Sequence, residues 1–411
     1  ASANNKRWKT YLYGQELQPE TFATCKADLM LSGHSKNFTY RQGGINRLCF
    51  ANGSTISEDG HPGKKFDFCI SNPPFGTPWK ADLERWGYGT DKSKIIDPRF
   101  FGTLDGKVLS FVPGIGDPQM LFLANNVSRM KDDEQGTRIV EIHNGSSLFT
   151  GNADGGESNL RRYIIEKDML EAIIAMPENM FYNTGIGTFI WIITNRKEVR
   201  RRGKVQLIDA TSIKTPLRKN LGNKNCEASD TDRTTILKLL TDFEENEQSK
   251  IFDNREFGYW QITVDRPLRL RIKDSYDLTE GKLKEAEIAL CKDAIDSLPV
   301  GIPTNDWTNY AKALGLKAAL LKKLRPLITE TDPTAMIVKG EVDAALRDSE
   351  QVPLLYSGGI EAFMQNEVLP YAPDAFVDET KTVIGYELSF TKYFYKPVEL
   401  RSRETTVAAI R

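Results

Sequence analysis

Phe66-Asp67-Phe68-Cys69-Ile70-Ser71-Asn72-Pro73-Pro74-Phe75-Gly76 is the stretch on which the reading of the fold turns. Apolar and small residues beside Asp67 predict a short buried strand. That strand must stop at Pro73-Pro74, because two prolines fix φ and offer no backbone N–H to a sheet. Pro73 also keeps Asn72 out of the helical region. The stretch therefore predicts a stiff loop at the C-terminal end of a strand, where open α/β sheets bind ligands.

The groups on this loop suit a planar amine. Asn72 carries a neutral carbonyl acceptor. Pro73 and Pro74 keep their backbone carbonyls, and Phe75 adds a flat apolar face. Two acceptors can take both hydrogens of an exocyclic amine while an aromatic ring lies against the attached base. Held out of plane, those hydrogens localise the nitrogen lone pair and make it a better nucleophile toward an activated methyl group. No strong base is required, since the proton can leave after attack. Taken alone, the tetrapeptide also reads as nothing more than a rigid turn.

Asn72-Pro73-Pro74-Phe75 resembles the catalytic motif of S-adenosylmethionine-dependent amino-methyltransferases. The longer run Asn72 to Lys80, followed by Asp97-Pro98-Arg99-Phe100, resembles the modification subunits of type I restriction-modification systems. With gaps, that resemblance continues nearly to the end of the chain. It implies an α/β fold with a Rossmann-like S-adenosylmethionine-dependent methyltransferase sheet and a mainly helical C-terminal region. It also implies methyl transfer to N6 of adenine in DNA, with the base flipped out of the duplex. Asn72, Pro73, Pro74 and Phe75 take the catalytic role. The implied partners are DNA, a specificity subunit, a restriction subunit and a second copy of the same chain. Two rivals stand beside this reading. An amino-methyltransferase acting on protein glutamine or RNA guanine shares the motif, but Asp97 to Phe100 and the C-terminal tail match the DNA family only. A non-catalytic scaffold subunit is separated by a cofactor-binding titration.

Composition narrows the class. A chain of 411 residues, 40% hydrophobic, can hold two or three domains with a sizeable core. Lys and Arg (55) nearly balance Asp and Glu (56), for a net charge of −1. DNA contact is thus expected through local patches or a partner, not through an overall basic excess. Five scattered cysteines without a C-x-x-C pair predict free thiols of a reducing cytosol. With three histidines, no metal site is expected. There is no apolar run of membrane-spanning length and no signal peptide, so a cytoplasmic protein without a membrane partner is expected.

Along the chain, Tyr11 to Glu16 predicts a strand ending in a carboxylate, and Pro19 opens a helix with Phe22, Cys25 and Leu29 on one face. An acid ending the second strand of a doubly wound sheet grips ribose hydroxyls. The resemblance gives Glu16 that role on S-adenosylmethionine; a surface glutamate beside a helix start is the plain alternative. A third strand falls within residues 45–56 and ends at Asn52-Gly53-Ser54-Thr55. The resemblance places Asn52 and Ser54 near the cofactor, and a simple strand-ending turn stays equally open. Trp79 to Phe111 shows no period and reads as a long functional loop closing over cofactor or DNA. Strands follow at Arg138 to His143, Leu170 to Met176, Thr188 to Thr194 and Val205 to Ile208. Helices span Gln119 to Met130 and Leu160 to Glu166, the second capped by Ser158. In the loop Pro177 to Gly187, the resemblance assigns Phe181 to the target-base pocket, with a core aromatic as the alternative. Arg196 to Lys204 reads as a solvated basic turn, with phosphate contact as the alternative. The domain expectation is a catalytic domain over 1–275, then a C-terminal region over 276–411. That region holds helices at 278–297 and 306–326 and a tail whose Phe390, Tyr393, Phe394 and Tyr395 dock a partner subunit.

One feature of such folds is not found. A glycine-rich turn should follow the first strand, roughly 20 residues ahead of the ribose-binding acid. Fifteen residues precede Glu16, and Gly14 is their only glycine. Gly151 to Gly156 could serve only in a permuted order, against which the acid, the turn and Asn72 to Phe75 stand in the unpermuted one. The first strand and an N-terminal helical domain are therefore expected to be missing, the chain being a piece of a longer protein.

Overall fold

β1 (Leu12–Glu16) and β2 (Leu48–Asn52) run parallel, with Glu16 opposite Asn52. In the computed structural model, which describes residues 11–29, 31, 48–182 and 184–395, this pair is a sheet of its own. α1 (Pro19–Leu29) follows β1. Pro19 suits its first turn, where no N–H is needed. Phe22, Cys25 and Leu29 are half-buried, on the face the periodicity predicts. Residues 45–47, with which the third strand was expected to begin, lie outside the described residues.

β3 (Phe68–Ser71) enters a second sheet. After it come α2 (Lys80–Arg85), the antiparallel pair β4 (Phe101–Leu104) and β5 (Lys107–Ser110), α3 (Gln119–Ser128), β6 (Arg138–Asn144), α4 (Ser146–Phe149) and α5 (Gly156–Glu166). β7 (Leu170–Met176), β8 (Thr188–Thr194) and β9 (Lys204–Asp209) complete its middle. A hairpin of β10 (Thr215–Leu221) and β11 (Lys224–Glu227), then α6 (Asp230–Asp242) and β12 (Ser249–Asp253), close the run. The six-stranded sheet has the order β12-β9-β7-β8-β6-β3. β3 is parallel to β6 and β7 to β9, while β8 lies antiparallel between β6 and β7. The C-terminal ends of β3, β6, β7 and β9 consequently share one edge.

Burial explains the order. Every residue of β7, Leu-Glu-Ala-Ile-Ile-Ala-Met, is buried, as suits a central strand covered on both faces. α3 buries Met120, Leu121, Leu123 and Ala124, and α5 buries Leu160, Ile164 and Ile165. Gly156, the first residue of α5, lies so close to the Val112 carbonyl that a Cβ there would clash with it. Ser158 is not the cap expected of it. It sits inside the helix, and its Oγ accepts the Tyr386 N–H at 3.0 Å.

Three further differences from the sequence reading are physical. β3 is not a buried strand: only Cys69 is buried, while Phe68 and Ile70 on the other face are 73% and 83% exposed. Among the described residues β3 is an edge strand with one uncovered face. Trp79 to Phe111 is not a loose loop, since Trp79, Leu83, Ile95 and Phe100 are core residues. Its aromatics pack by tertiary contacts that follow no local period.

The third difference is the tail. By contacts the chain divides into two units, one ending at Gly258 and resuming at Ile384, the other Tyr259–Val383. The boundary expected at 275 thus falls at 258, and the last segment returns to the first unit. In the second unit β13 (Gly258–Asp265), β14 (Pro267–Ile272), α7 (Glu285–Asp296), α8 (Trp307–Leu314) and α9 (Ala318–Ile328) follow one another. Then come β15 (Thr329–Thr331), β16 (Ile337–Val342), β17 (Asp348–Pro353), α10 (Gly359–Phe363) and β18 (Phe376–Val377). The expected helices are there, packed through Cys291, Trp307, Tyr310, Leu314, Leu324 and Ile328 on Leu268, Leu270 and Ile272. β19 (Val383–Tyr386) and α11 (Phe390–Phe394) end the described chain. Tyr386, Leu388 and Phe390 are buried, and Tyr393 packs on Phe252 with ring centroids 4.2 Å apart. Of the four aromatics expected to dock a partner, Phe390 is buried and Tyr393 and Phe394 are half-buried against the first unit, while Tyr395 is exposed. Residues 396–411 of that tail lie outside the described residues. No helix among the described residues is long and apolar enough to cross a membrane.

Candidate active site

The end of β3 is fixed from below by a polar ladder. Asn126 Nδ2 on α3 donates to Ser71 Oγ at 3.0 Å and to Glu141 Oε2 at 2.6 Å. Glu141 Oε1 in turn lies 3.1 Å from His143 Nε2, and both residues are fully buried. A buried carboxylate is tolerable only with such partners. Together they hold the residue immediately before Asn72. Beside them the Cys69 thiol is pushed up to about 12, chiefly by burial and then by the Glu141 charge, with Arg129 opposing.

Above this ladder the motif turns outward. Pro73 is buried and Phe75 half-buried, while Asn72 and Pro74 are exposed. Asn72 makes no hydrogen bond among the described residues. An interior proline thus anchors the loop and leaves the asparagine amide free. The far end is fastened by Trp79, whose Nε1 donates to the Gly114 carbonyl at 2.9 Å and whose N–H donates to Ile115 at 3.1 Å. Next along the same sheet edge, at the end of β6, Gln119 Nε2 lies 2.9 Å from Asp117 Oδ2 and 2.8 Å from Asn144 Oδ1. Ser146 Oγ is also 2.8 Å from that nitrogen.

Glu16 and Asn52 form a separate group. Asn52 Nδ2 donates to the Glu16 carbonyl at 2.9 Å, and Glu16 Oε1 accepts the Gln18 N–H at 2.7 Å. The other Glu16 carboxylate oxygen is uncommitted and suits a diol. Ser54 does not join them. It is buried, and its Oγ accepts the N–H groups of Ile56 and Ser57. The residue caps its own turn. Phe181 is half-buried against the cluster that includes Met176, Met180 and Ile192. Tyr182 beside it is 63% exposed and lies under Lys224, whose Nζ is 5.1 Å from the ring centroid.

The two sheets are joined by arginines. Arg99 forms a fork with Asp97 at 2.7 Å and donates to the carbonyls of Thr55 and Ile56 at 2.8 and 2.7 Å. Its Nη1 also reaches Asn125 Oδ1 on α3 at 3.1 Å. Arg129 pairs with Asp59 at 2.5 Å and donates to the His61 carbonyl at 3.0 Å. His61 Nε2 lies 2.8 Å from the Gly14 carbonyl of β1. Asp97-Pro98-Arg99-Phe100 is thereby a clamp on the turn after β2. A cleft of about 420 Å³ opens beside it, lined by Trp86, Tyr88, Ile95 and Pro98. Its carboxylates, Asp59 and Asp97, are both taken by the arginines.

Sequence reasoning missed the ladder of Ser71, Asn126, Glu141 and His143. Its signal was present: Glu141 and His143 alternate inside an otherwise apolar strand, where a buried polar residue needs a purpose. Arg196 to Lys204 behaves as the solvated turn expected only in part. Arg200 and Arg201 cap the end of α6, donating to the carbonyls of Thr241 and Leu240.

Comparison with known proteins shows what the chain is similar to. The HindI methylase subunit of a Haemophilus influenzae type I restriction enzyme is 28% identical over 203 residues, 49% of this chain and 38% of that protein. The MjaIX methylase subunit of Methanocaldococcus jannaschii is 24% identical over 74% of this chain and 47% of that protein. A solved type I restriction-modification methyltransferase subunit from Streptococcus thermophilus superposes with a TM-score of 0.46 at 24% identity, over 60% of this chain and 46% of that one. The chain thus spans less than half the length of each of these relatives. The description N-6 DNA Methylase matches residues 1–258, which is most of the first unit and more than half of the sequence. The chain belongs to the N-6 DNA Methylase family.

Proposed function

We propose that this chain transfers a methyl group from S-adenosylmethionine to N6 of adenine in DNA, as part of a type I modification subunit. The observation that carries the reading is the free amide of Asn72 on the open strand-end edge, anchored by buried Pro73. Asn72 Oδ1 and the Pro73 carbonyl accept the two amine hydrogens, and Phe75 lies against the base. Glu16 holds the ribose hydroxyls with its uncommitted oxygen, and Asn52 fixes the strand end that presents it. Ser54 supports that turn from within. Bound S-adenosylmethionine supplies an electrophilic methyl group. The proton leaves to water at the exposed edge once the nitrogen is tetrahedral. Specificity and restriction subunits and a second copy of the chain are the partners proposed, because the curated relatives carry the names of type I methylase subunits.

Asn72→Ala tests the proposal. With S-adenosylmethionine in excess, loss of one oriented acceptor should lower the rate of tritiated methyl incorporation into DNA on the order of 10²–10³-fold. Thermal unfolding should be unchanged, because the side chain is exposed. Incorporation near the wild-type rate overturns the assignment.

A further inference from the structure

We infer that the β10–β11 hairpin is the surface on which this chain holds the phosphate backbone of DNA. The inference rests on the reading that the substrate is DNA and adds where the duplex lies. Between Asp209 and Glu227 the sequence carries Lys214, Arg218, Lys219 and Lys224 and no carboxylate. In a chain with a net charge of −1 this is a concentrated local excess. Lys214, Arg218 and Lys219 are exposed and form no ion pair among the described residues. Elsewhere in the first unit Arg99, Arg129, Arg138, Lys197 and Arg201 face carboxylates. Some exposed cations there, such as Lys167 and Lys238, form no ion pair among the described residues but lie singly along the chain.

The hairpin also stands in the right place. It follows the C-terminal end of β9, level with Ala175 of β7, where the Ala210 N–H donates to the Ala175 carbonyl at 3.0 Å. Asn72 leaves the C-terminal end of β3 on the same edge, four strands away along β3-β6-β8-β7-β9. At the usual strand spacing that is about 19 Å. That distance is close to the width of a duplex, so one helix can deliver a flipped base at Asn72 and lay its backbone on the hairpin. The hairpin is not a loose appendage. The Asn225 N–H donates to the Asn179 carbonyl at 3.0 Å, and Lys224 Nζ donates to Met180 O at 2.9 Å. Both acceptors belong to the loop after β7, so the hairpin is coupled to the strand-end edge. Its exposed apolar content is a single residue, Leu221, whereas a protein interface would present aromatic anchors.

Phosphate contacts are read by salt. Each cation that displaces counterions contributes about 0.9 to the slope of log affinity against log salt. The test uses fluorescence anisotropy of a labelled DNA duplex of random sequence with the full chain. Lys214→Gln, Arg218→Gln and Lys219→Gln combined should flatten the slope by about 2.7, so that raising salt from 50 to 200 mM costs the variant about 40-fold less affinity than the wild type. Each single substitution should flatten it by about 0.9, which covers the case of a triple variant that fails to fold. Arg218→Lys should leave the slope as it is. An unchanged slope in the single variants, with duplex binding retained, overturns the hairpin assignment and leaves the methyltransferase reading standing. So does an unchanged slope accompanied by loss of a protein partner. Absence of duplex binding by the wild type overturns the hairpin assignment, and the methyltransferase reading is decided separately by Asn72→Ala.

Discussion

Replacing Arg99 by alanine strands the Asp97 carboxylate and the carbonyls of Thr55 and Ile56. Breaking such a pair typically costs 3–5 kcal/mol when fully buried, and the partial exposure of Asp97 places this case at about 3 kcal/mol. Arg99→Lys should recover little, because an ammonium cannot reproduce the planar fork. Urea unfolding checks both. The effect has a pH signature. Burial pushes the Asp97 carboxyl up, but its hydrogen bonds to Arg99 and the guanidinium charge outweigh that and hold it below the ordinary value. A depressed carboxyl stabilises fully above the unfolded value of about 3.9 and loses that contribution as pH falls through the folded value. The gap between wild type and Arg99→Ala should therefore narrow below about pH 4. A gap constant from pH 6 to 3 would show that Asp97 is not what Arg99 stabilises. The motif itself was legible, since Asp97-Pro98-Arg99-Phe100 stood out in the sequence. Its role was not, because Arg99 reaches partners 26 to 44 residues away that no local pattern marks. Asn72 is the opposite case: two prolines dictate its backbone locally, and its exposed place at a strand end follows from them.

Among the elements, the tail segment is the most informative. Tyr386 exchanges hydrogen bonds with α5: its N–H goes to Ser158 Oγ at 3.0 Å and its carbonyl accepts from Arg161 Nε at 2.6 Å. The Leu388 N–H donates to the Leu148 carbonyl at 2.9 Å. Phe390 then meets Phe189 of β8 at 5.3 Å and stacks on Phe394 at 4.9 Å. The segment is a strap across α4, α5 and β8. Deleting a buried phenylalanine costs about 3–5 kcal/mol, so Phe390→Ala should lower the first unit's stability by that amount in urea unfolding. Unchanged stability would return the tail aromatics to a docking role. The correct reading was available. Tyr386, Leu388 and Phe390 alternate with Glu387 and Ser389, the period of a half-buried extended segment. Aromatic density alone says nothing about which side is covered. Strands β7 and β8 were legible from their short apolar runs, and β6 and β9 from apolar residues alternating with polar ones. The packing of Trp79 to Phe111 was not, since short turns anchored by single large side chains carry no period.

At the scale of the molecule, strand order is what the sequence withholds. Alternation and turn residues say where strands lie, but pairing partners are set by long-range contacts. Hence β3 could be placed in the chain yet not at a sheet edge, and β1 and β2 could be seen yet not as a sheet apart. That separation bears on cofactor affinity. Among the described residues Glu16 stands at the end of one sheet and Asn72 at the end of the other, linked through Arg99, Arg129 and His61. The turn that should meet the rest of the cofactor is glycine-rich in such folds, and the 411 residues hold none in the required order. Glu16 alone offers exposed hydrogen bonds to two hydroxyls, each worth about 1 kcal/mol net. Micromolar binding needs roughly 8 kcal/mol. We therefore expect calorimetry on the 411-residue chain to find binding of S-adenosylmethionine weaker than about 1 mM, which corresponds to roughly 4 kcal/mol. Glu16→Ala should weaken that binding further. Micromolar binding by the 411 residues alone would mean that they already hold a complete cofactor site, and mutation of Glu157 beside Gly151 is the first place to test for it.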